Sequence, residues 1–301
     1  MPDGQVVPVS LAQRSSQERP IRGVSDTALW MAMYRAMETE RPDALFRDPY
    51  ARRMAGERGK DIVDSLPFAQ SMAWSLSVRT AMIDEVILRC VAGGVRVVLN
   101  LGAGLDTRAF RLQLPPSLRW MDVDLEAMTA YRQHCLDGAI PLCEHAHIAA
   151  DLSDPVQNAT VLAEARAFEG PWLVITEGLL LYLTPEQVGG LATQLHAEAQ
   201  AKWWVTDLIT PMSQQAMGMV WNSQLTDAST PFLFAPEDSK SFFEHLGWQQ
   251  DEFHSTWMNS IRLRRTAPHA PAWDQLWRWS GPAAHEALQR MSGVALLTRR
   301  P

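Results

Sequence analysis

The chain has 301 residues, 47% of them apolar, and a net charge of −7 at neutral pH, which suits one large α/β domain with extensions and requires no second core. The acidic balance argues against a general nucleic-acid binder, whose phosphate contacts need a basic surface. Cys90, Cys135 and Cys143 lack CxxC spacing or a companion histidine cluster, so neither a disulfide framework nor a zinc site is expected. The opening MPDGQVVPVS carries no basic-then-apolar leader, and no run reaches the roughly 18 apolar residues of a membrane span. A soluble, cytoplasmic protein is expected, with no nucleic-acid or membrane partner and no resident metal.

Residues 1–24 are polar, with prolines and arginines, and read as a flexible arm or a segment that orders on binding. From Ser25 the chain turns helical, with Ser25 or Asp26 as N-cap and Ala28, Leu29, Met31, Ala32, Ala36 and Met37 as the apolar face. Arg35 is the charge on that helix worth following. Pro42 and Pro49 mark turns, and 62–69 reads as a loop or a short helix stopping at Pro67. A longer helix runs from about Met72 to Val91, with Val78, Met82, Val86 and Ile87 at helical spacing. Arg79 falls among them, either as a salt bridge at the edge of the apolar face or as a partner for an anionic cofactor group.

The stretch Val95 to Arg111, VRVVLNLGAGLDTRAFR, is the organising feature. Val95–Leu101 is an apolar, β-branched run of the length of a strand buried on both faces. Gly102-Ala103-Gly104 then permits a tight turn with positive φ and leaves no Cβ between main chain and ligand. A helix after it would aim its N-terminal amides into the same space. A second strand, Leu118–Asp124, ends in carboxylates about twenty residues on, where βαβ nucleotide-binding units place an acid for the ribose hydroxyls. Asp122 and Asp124 share a face of that strand, and the one nearer its C-terminal end, Asp124, is favoured. The alternative is that both cap a helix or face solvent.

Three more strands follow the same pattern. Ala146–Leu152 carries Asp151 at its end, Pro171–Gly178 carries Glu177, and Lys202–Leu208 finishes near another acid. Helices at 125–137, 155–168 and 185–200 alternate with them. The expected fold is therefore α/β, a doubly wound, mostly parallel sheet with strand tips gathered at one edge. Beyond it, Pro211–Thr226 is a Met-rich helix whose methionines and Trp221 pack the core or wall a pocket. Pro236–Leu246 is a short helix closed by Gly247. A sixth strand runs near 249–254, and 257–265 is left unassigned. Residues 272–291 form one or two helices broken at Gly281-Pro282, and 293–299 is a closing strand.

The motifs NLGAGLDTRAFRL, WMDVDLEAM, AADL and TEGLLLYL, with TALWMAMYRAMETERPDALFRDPYARRMAG before them, resemble the S-adenosylmethionine-dependent methyltransferases of the leucine carboxyl methyltransferase type. The likeness is to the bacterial branch that includes polyketide O-methyltransferases, and it covers residues 25–210. It implies a Rossmann-like class I methyltransferase fold, with 25–92 as a helical cap, 93–210 as the cofactor-binding core, 211–270 as an inserted substrate lid and 271–301 as a closing helix and strand. It implies S-adenosylmethionine as cofactor, with Arg79 pairing with the carboxylate of its methionine part. Gly102, Ala103 and Gly104 would pass beneath that part, and Asp124 would hold the ribose hydroxyls. Asp151 and Leu152 would frame the adenine, and Glu177 would face the amino end. Arg35 is matched less closely, because its spacing to the DPY turn differs, and Asp106 would orient the loop or bond the cofactor.

The implied reaction is methyl transfer to a carboxylate or hydroxyl oxygen of a small molecule, polyketide-like by the same resemblance. A carboxylate needs no base, whereas a hydroxyl does. None of the eight histidines stands in a recognisable constellation. His147 sits inside a strand and reads as core, while His254 ends the sixth strand at the edge where a site would lie. Tyr182, after Glu177, is a candidate on the acceptor side or a packing residue. A nicotinamide-dependent oxidoreductase would use the same GxG turn, but Thr107 stands where the third glycine of GxGxxG falls and Asp106 would repel a pyrophosphate. From another class, a non-catalytic protein that keeps the fold and the cofactor remains a competing reading.

Overall fold

The computed structural model describes residues 24–65, 69–221, 232–268, 270, 272, 275 and 279–300, so the expected arm at 1–23 lies outside the described residues. Seven strands, β1 (Val97–Leu101), β2 (Arg119–Asp124), β3 (Glu144–Ala149), β4 (Trp172–Thr176), β5 (Ala201–Ile209), β6 (Trp248–Ser255) and β7 (Ser292–Arg299), form one sheet in the order β3-β2-β1-β4-β5-β7-β6. The first five run parallel. β7 is inserted antiparallel between β5 and β6, a placement that no local pattern in the chain announces.

Alternation along the strands sorts the core into two layers. Val98, Leu173, Ile175, Val205 and Leu296 face one side, where α1 (Val24–Thr39), α2 (Ala51–Ser65) and α3 (Ala69–Ala92) supply Trp30, Met54, Ile62, Met82 and Ile87. Val97, Leu99, Val174, Trp204 and Leu297 face the other, against Leu162 of α6 (Pro155–Ala165), Leu191 of α7 (Pro185–Ala197) and Phe243 of α9 (Ser239–Glu244). β1 and β4 are buried throughout, as strands covered by helices on both faces must be.

Several elements depart from expectation. Residues 51–65 form a helix where only turns and a short helix near 62 were foreseen, because Gly56 and Gly59 and a run of charges obscure its periodicity. Gly56 takes φ +56 and bends the helix. A Cβ on Gly59 would come within 2.8 Å of the Leu29 carbonyl oxygen, so this glycine permits close packing of α1 on α2. α1 begins at Val24, which puts Ser25 and Asp26 in its first turn instead of at the cap. Asp26 is engaged by Arg58 of α2 at 2.7 Å. The unassigned stretch near 257 is α10 (Thr256–Arg262), α8 spans Pro211–Trp221, and a last helix runs Pro282–Arg290. No described helix is long and apolar enough to cross a membrane.

The layout fixes where a ligand can sit. From β1 the chain winds outward to β2 and then, through α5 (Glu126–Cys135), to β3, before it returns to start β4 on the opposite side of β1. The carboxyl ends of β1 and β4 therefore diverge and open a crevice, as in other doubly wound sheets.

Candidate active site

A cavity of about 320 Å³ occupies that crevice, roofed by α1 and lined by the tips of β1, β2 and β4, within the size range of small-molecule sites. Of the residues singled out in the sequence, Arg35, Arg79, Gly102, Ala103, Gly104 and Asp106 line it, as do Asp124, Asp151, Leu152, Glu177 and Tyr182.

The glycine turn is held from below. The amides of Gly102 and Ala103 donate to the Val123 carbonyl at 2.9 and 3.0 Å. Gly102 takes φ +69, and a Cβ there would lie 2.9 Å from Leu179 Cδ1, so glycine is required both by conformation and by the close approach of the β4 loop. The helix expected to aim its amides at a ligand is a correction. α4 is only Arg108–Arg111, and the Arg108 amide donates to Asp106 Oδ1 at 2.7 Å. Asp106 also takes Arg108 Nη1 at 2.7 Å and Asn100 Nδ2 at 3.1 Å, bonds that tie its carboxylate into the loop.

Asp124 and Asp122 separate as the strand's direction demands. Asp124 accepts from the amides of Gly104 at 2.6 Å and Leu125 at 2.7 Å. Burial raises its pKa against those two amides. Each of its oxygens keeps acceptor capacity beyond one amide. Asp122 points into the protein, where it accepts from Trp120 Nε1 and Asn100 Nδ2, both at 2.8 Å, and pairs with His145 at 2.7 Å. Asp122, His145 and His147 are grouped as metal ligands could be, but the Arg132 guanidinium, 3.7 Å from Asp122, already supplies the cation.

At the other end of the cavity lies an ion-pair cluster. Arg79 Nε donates to Glu177 at 2.9 Å and its Nη1 to Asp207 at 2.8 Å. The second oxygen of Glu177 lies 2.7 Å from Arg108 Nη1. Burial alone would raise the Glu177 pKa, but Arg108 and Arg79 outweigh it and hold the carboxyl at about 2. Arg79 is thus already paired with two protein carboxylates, and Nη2, 4.0 Å from Met31 Sδ, is its nitrogen without one among the described residues. Arg35 bonds Asp48 at 2.9 Å and the Leu105 carbonyl at 2.6 Å. Asp48 also takes the Thr107 hydroxyl at 2.8 Å, so Arg35 braces the loop after the glycines.

Asp207, Arg108, Asp48 and Asn100 were not singled out. Asp207 had a signal, since it is the acid at the tip of the fifth strand. Arg108 sits in the GLDTR run, where its contact with Glu177 depends on the pairing of β1 with β4.

The remaining candidates divide. Asp151 is exposed at the rim and accepts from the Ser153 amide at 2.9 Å and hydroxyl at 2.7 Å. Leu152 is buried beside it, and with Leu125 and Ala150 it makes an apolar slot in the cavity wall. The Tyr182 hydroxyl bonds Thr27 at 3.3 Å, and burial raises its pKa, away from use as a base. His254 is a correction. It lies on β6 at the far edge of the sheet, outside the cavity lining, and its Nε2 pairs with Glu252 at 2.6 Å.

Fold and site together define a nucleotide-cofactor-binding α/β protein of the doubly wound class. The sequence pattern of the leucine carboxyl methyltransferase family matches residues 28–196, and the chain belongs to that family. A protein of Frankia alni provisionally named an S-adenosyl-L-methionine-dependent methyltransferase is 32% identical over 253 residues, covering 77% of this chain and 84% of that one. A Parafrankia protein with the same provisional name is 35% identical over 296 residues, covering 89% of each. Among solved structures, one described as a provisional methyltransferase from Thermobifida fusca aligns over 97% of this chain and all of its own, with a TM-score of 0.56 at 15% identity. The fold is that of class I methyltransferases.

Proposed function

We propose that this member of the family is an S-adenosylmethionine-dependent O-methyltransferase whose acceptor is a small apolar molecule presenting an oxygen that is already ionised, a carboxylate in the first instance. One observation carries the choice of acceptor: apart from Asp124 and Asp151, which this reading gives to the cofactor, no described residue lining the cavity is placed to act as a base. No histidine lines it, Glu177 is held at about 2, and the Asp106 carboxylate is bound up in its own loop. An acceptor hydroxyl would find no further group among the described residues to take its proton, whereas a carboxylate arrives without one.

The residues present fit the cofactor. In our reading Asp124 takes the ribose hydroxyls with its remaining acceptor capacity, and the slot of Leu125, Ala150 and Leu152 holds the adenine, with Asp151 at its rim. Gly102, Ala103 and Gly104 let the methionine portion pass close, Arg79 turns Nη2 to its carboxylate, and Glu177 faces its amino end. Bound there, S-adenosylmethionine supplies an electrophilic methyl group on a sulfonium, open to in-line displacement by the acceptor oxygen. The chain's share is orientation and exclusion of water, which are worth many orders of magnitude in effective molarity. Arg35, Asp48 and Thr107 keep the loop in register for that task.

The acceptor side is read from Met31, Leu76, Leu181, Tyr182, Met217 and Phe232, the apolar and aromatic part of the lining. It draws on the helical cap (25–92) and on the stretch 211–270, the proposed acceptor lid, which lies partly outside the described residues. Residues 93–210 make up the cofactor-binding core in the same scheme. The sequence reading of a cytoplasmic enzyme without a nucleic-acid partner stands as part of this proposal.

The test joins calorimetric titration with S-adenosylhomocysteine to turnover of labelled S-adenosylmethionine against apolar carboxylic acids and matched phenols. Expected are binding and methyl-ester formation on the acids. Turnover of phenols alone, falling away below a neutral pKa, would overturn the acceptor assignment. Absence of binding would overturn the cofactor reading.

A further inference from the structure

Behind the cofactor turn, outside the cavity lining, lies a polar network that the proposed mechanism leaves unused. Its centre is Arg132 of α5, whose side chain is fully buried. Its Nη1 donates to the Gly104 carbonyl at 3.1 Å, its Nη2 donates to His147 Nδ1 at 3.0 Å, and Asp122 stands 3.7 Å away. Nε has no hydrogen-bond partner among the described residues. A buried guanidinium is costly unless its charge and donors are met, and only a few groups meet them here.

The partners show which way the force runs. Gly104 is the last residue of the glycine turn, at φ +49, and its amide is the group that donates to Asp124. Asp122, the acid opposite Arg132, is also bridged through Asn100 Nδ2 to Asp106 at the far side of the loop. The buried cluster therefore grips the loop twice, at the Gly104 carbonyl and at Asp106. An arginine always donates, so His147 must offer Nδ1 as an acceptor and carry its own proton on Nε2. Burial, followed by the charges of Arg132 and His145, lowers its pKa to about 4 despite the pull of Asp122, which keeps that acceptor available at neutral pH.

We infer that Arg132, seated by His147 and Asp122, is a positioning residue that holds Gly104 by its carbonyl and, through the Gly104 amide, the Asp124 carboxylate in the geometry the cofactor's ribose requires. It does not line the cavity, and its influence passes through the main chain of the turn. The inference rests on the cavity being the cofactor site.

The experiment is calorimetric titration of S-adenosylhomocysteine into wild-type protein, Arg132→Met and Arg132→Lys, with thermal melts of each ligand-free protein. Loss of a charge-assisted hydrogen bond at the carbonyl predicts a Kd raised about tenfold or more in Arg132→Met. Arg132→Lys, which keeps a donor and the charge, recovers most of the affinity while its melting temperature stays close to that of Arg132→Met. Should Arg132→Met fail to fold, His147→Leu and His147→Gln replace it: leucine removes the acceptor that seats the guanidinium and weakens binding severalfold, and glutamine restores it. Affinity unchanged in Arg132→Met, or affinity in the two His147 variants indistinguishable from wild type, overturns the inference. A wild-type protein that does not bind S-adenosylhomocysteine overturns the cofactor reading instead.

Discussion

The two walls of the cavity are built on opposite principles. The wall proposed for the cofactor is backed by a lattice of fixed charges: Asp84 joins Arg108 and Arg111, Arg108 reaches Asp106 and Glu177, and Glu177 and Asp207 hold Arg79. The opposite wall is made of Met31, Leu76, Leu181, Met217 and Phe232, apolar side chains and, for the methionines, ones of adaptable shape. The contrast teaches a division of labour. On the proposed reading, a cofactor of constant structure is met by preorganised dipoles and charges, which lose their value if they move, while a variable acceptor is met by surface that repacks.

The contrast can be broken most severely at Asp84, which is buried and shared by two arginines. Asp84→Ala leaves both guanidinium groups short of a counter-charge and should cost about 3–5 kcal/mol of folding stability, read from chemical denaturation. A similar substitution on the apolar wall should cost far less. Next is Asp124→Ala, which removes both proposed ribose acceptors. It should weaken S-adenosylhomocysteine binding by about 100-fold or more, measured by calorimetry against a control that the ligand-free melting temperature is little changed.

Acid sharpens the comparison from another side. Glu177 falls from an ordinary 4.5 to about 2 in the folded protein, so the unfolded chain binds the proton more readily. Its contribution is complete above pH 4.5 and disappears as the pH drops towards 2, about 3 kcal/mol in all. Denaturation midpoints for wild type should decline through that window, with a shallower slope for Glu177→Gln. The smallest effect on the cofactor should come from Phe232→Ala, with S-adenosylhomocysteine affinity within about threefold of wild type. The same change should shift kcat/KM among acceptors by about tenfold, the scale of a few methylene contacts in a hydrophobic pocket. A large loss of cofactor binding in this variant would mean that the walls are not separate.

Much of this arrangement was legible in the chain because it depends on local pattern. Continuous apolar runs ending in acids gave five parallel strands, the glycines after the first strand marked its turn, and position at the strand's C-terminal end distinguished Asp124 from Asp122. The failures share a cause. α2 was hidden because Gly59 is there for contact with Leu29, not for a turn. His254 had the right strand but the wrong neighbourhood, since the insertion of β7 carried β6 to the edge of the sheet. Arg79 was singled out without its partners, because Glu177 and Asp207 lie 98 and 128 residues further along the chain.

By itself, then, the sequence determined the alternating α/β plan, the glycine turn and the acids at the strand tips, all of which follow from periodicity and from the conformational needs of single residues over a few positions. Only the tertiary structure decided which charges neutralise one another, which acids keep capacity for a ligand, and that Arg132 reaches Gly104 from behind. Those outcomes depend on distances between residues remote in the chain, and Coulomb and hydrogen-bond energies are set by such distances and by burial, neither of which a local pattern encodes.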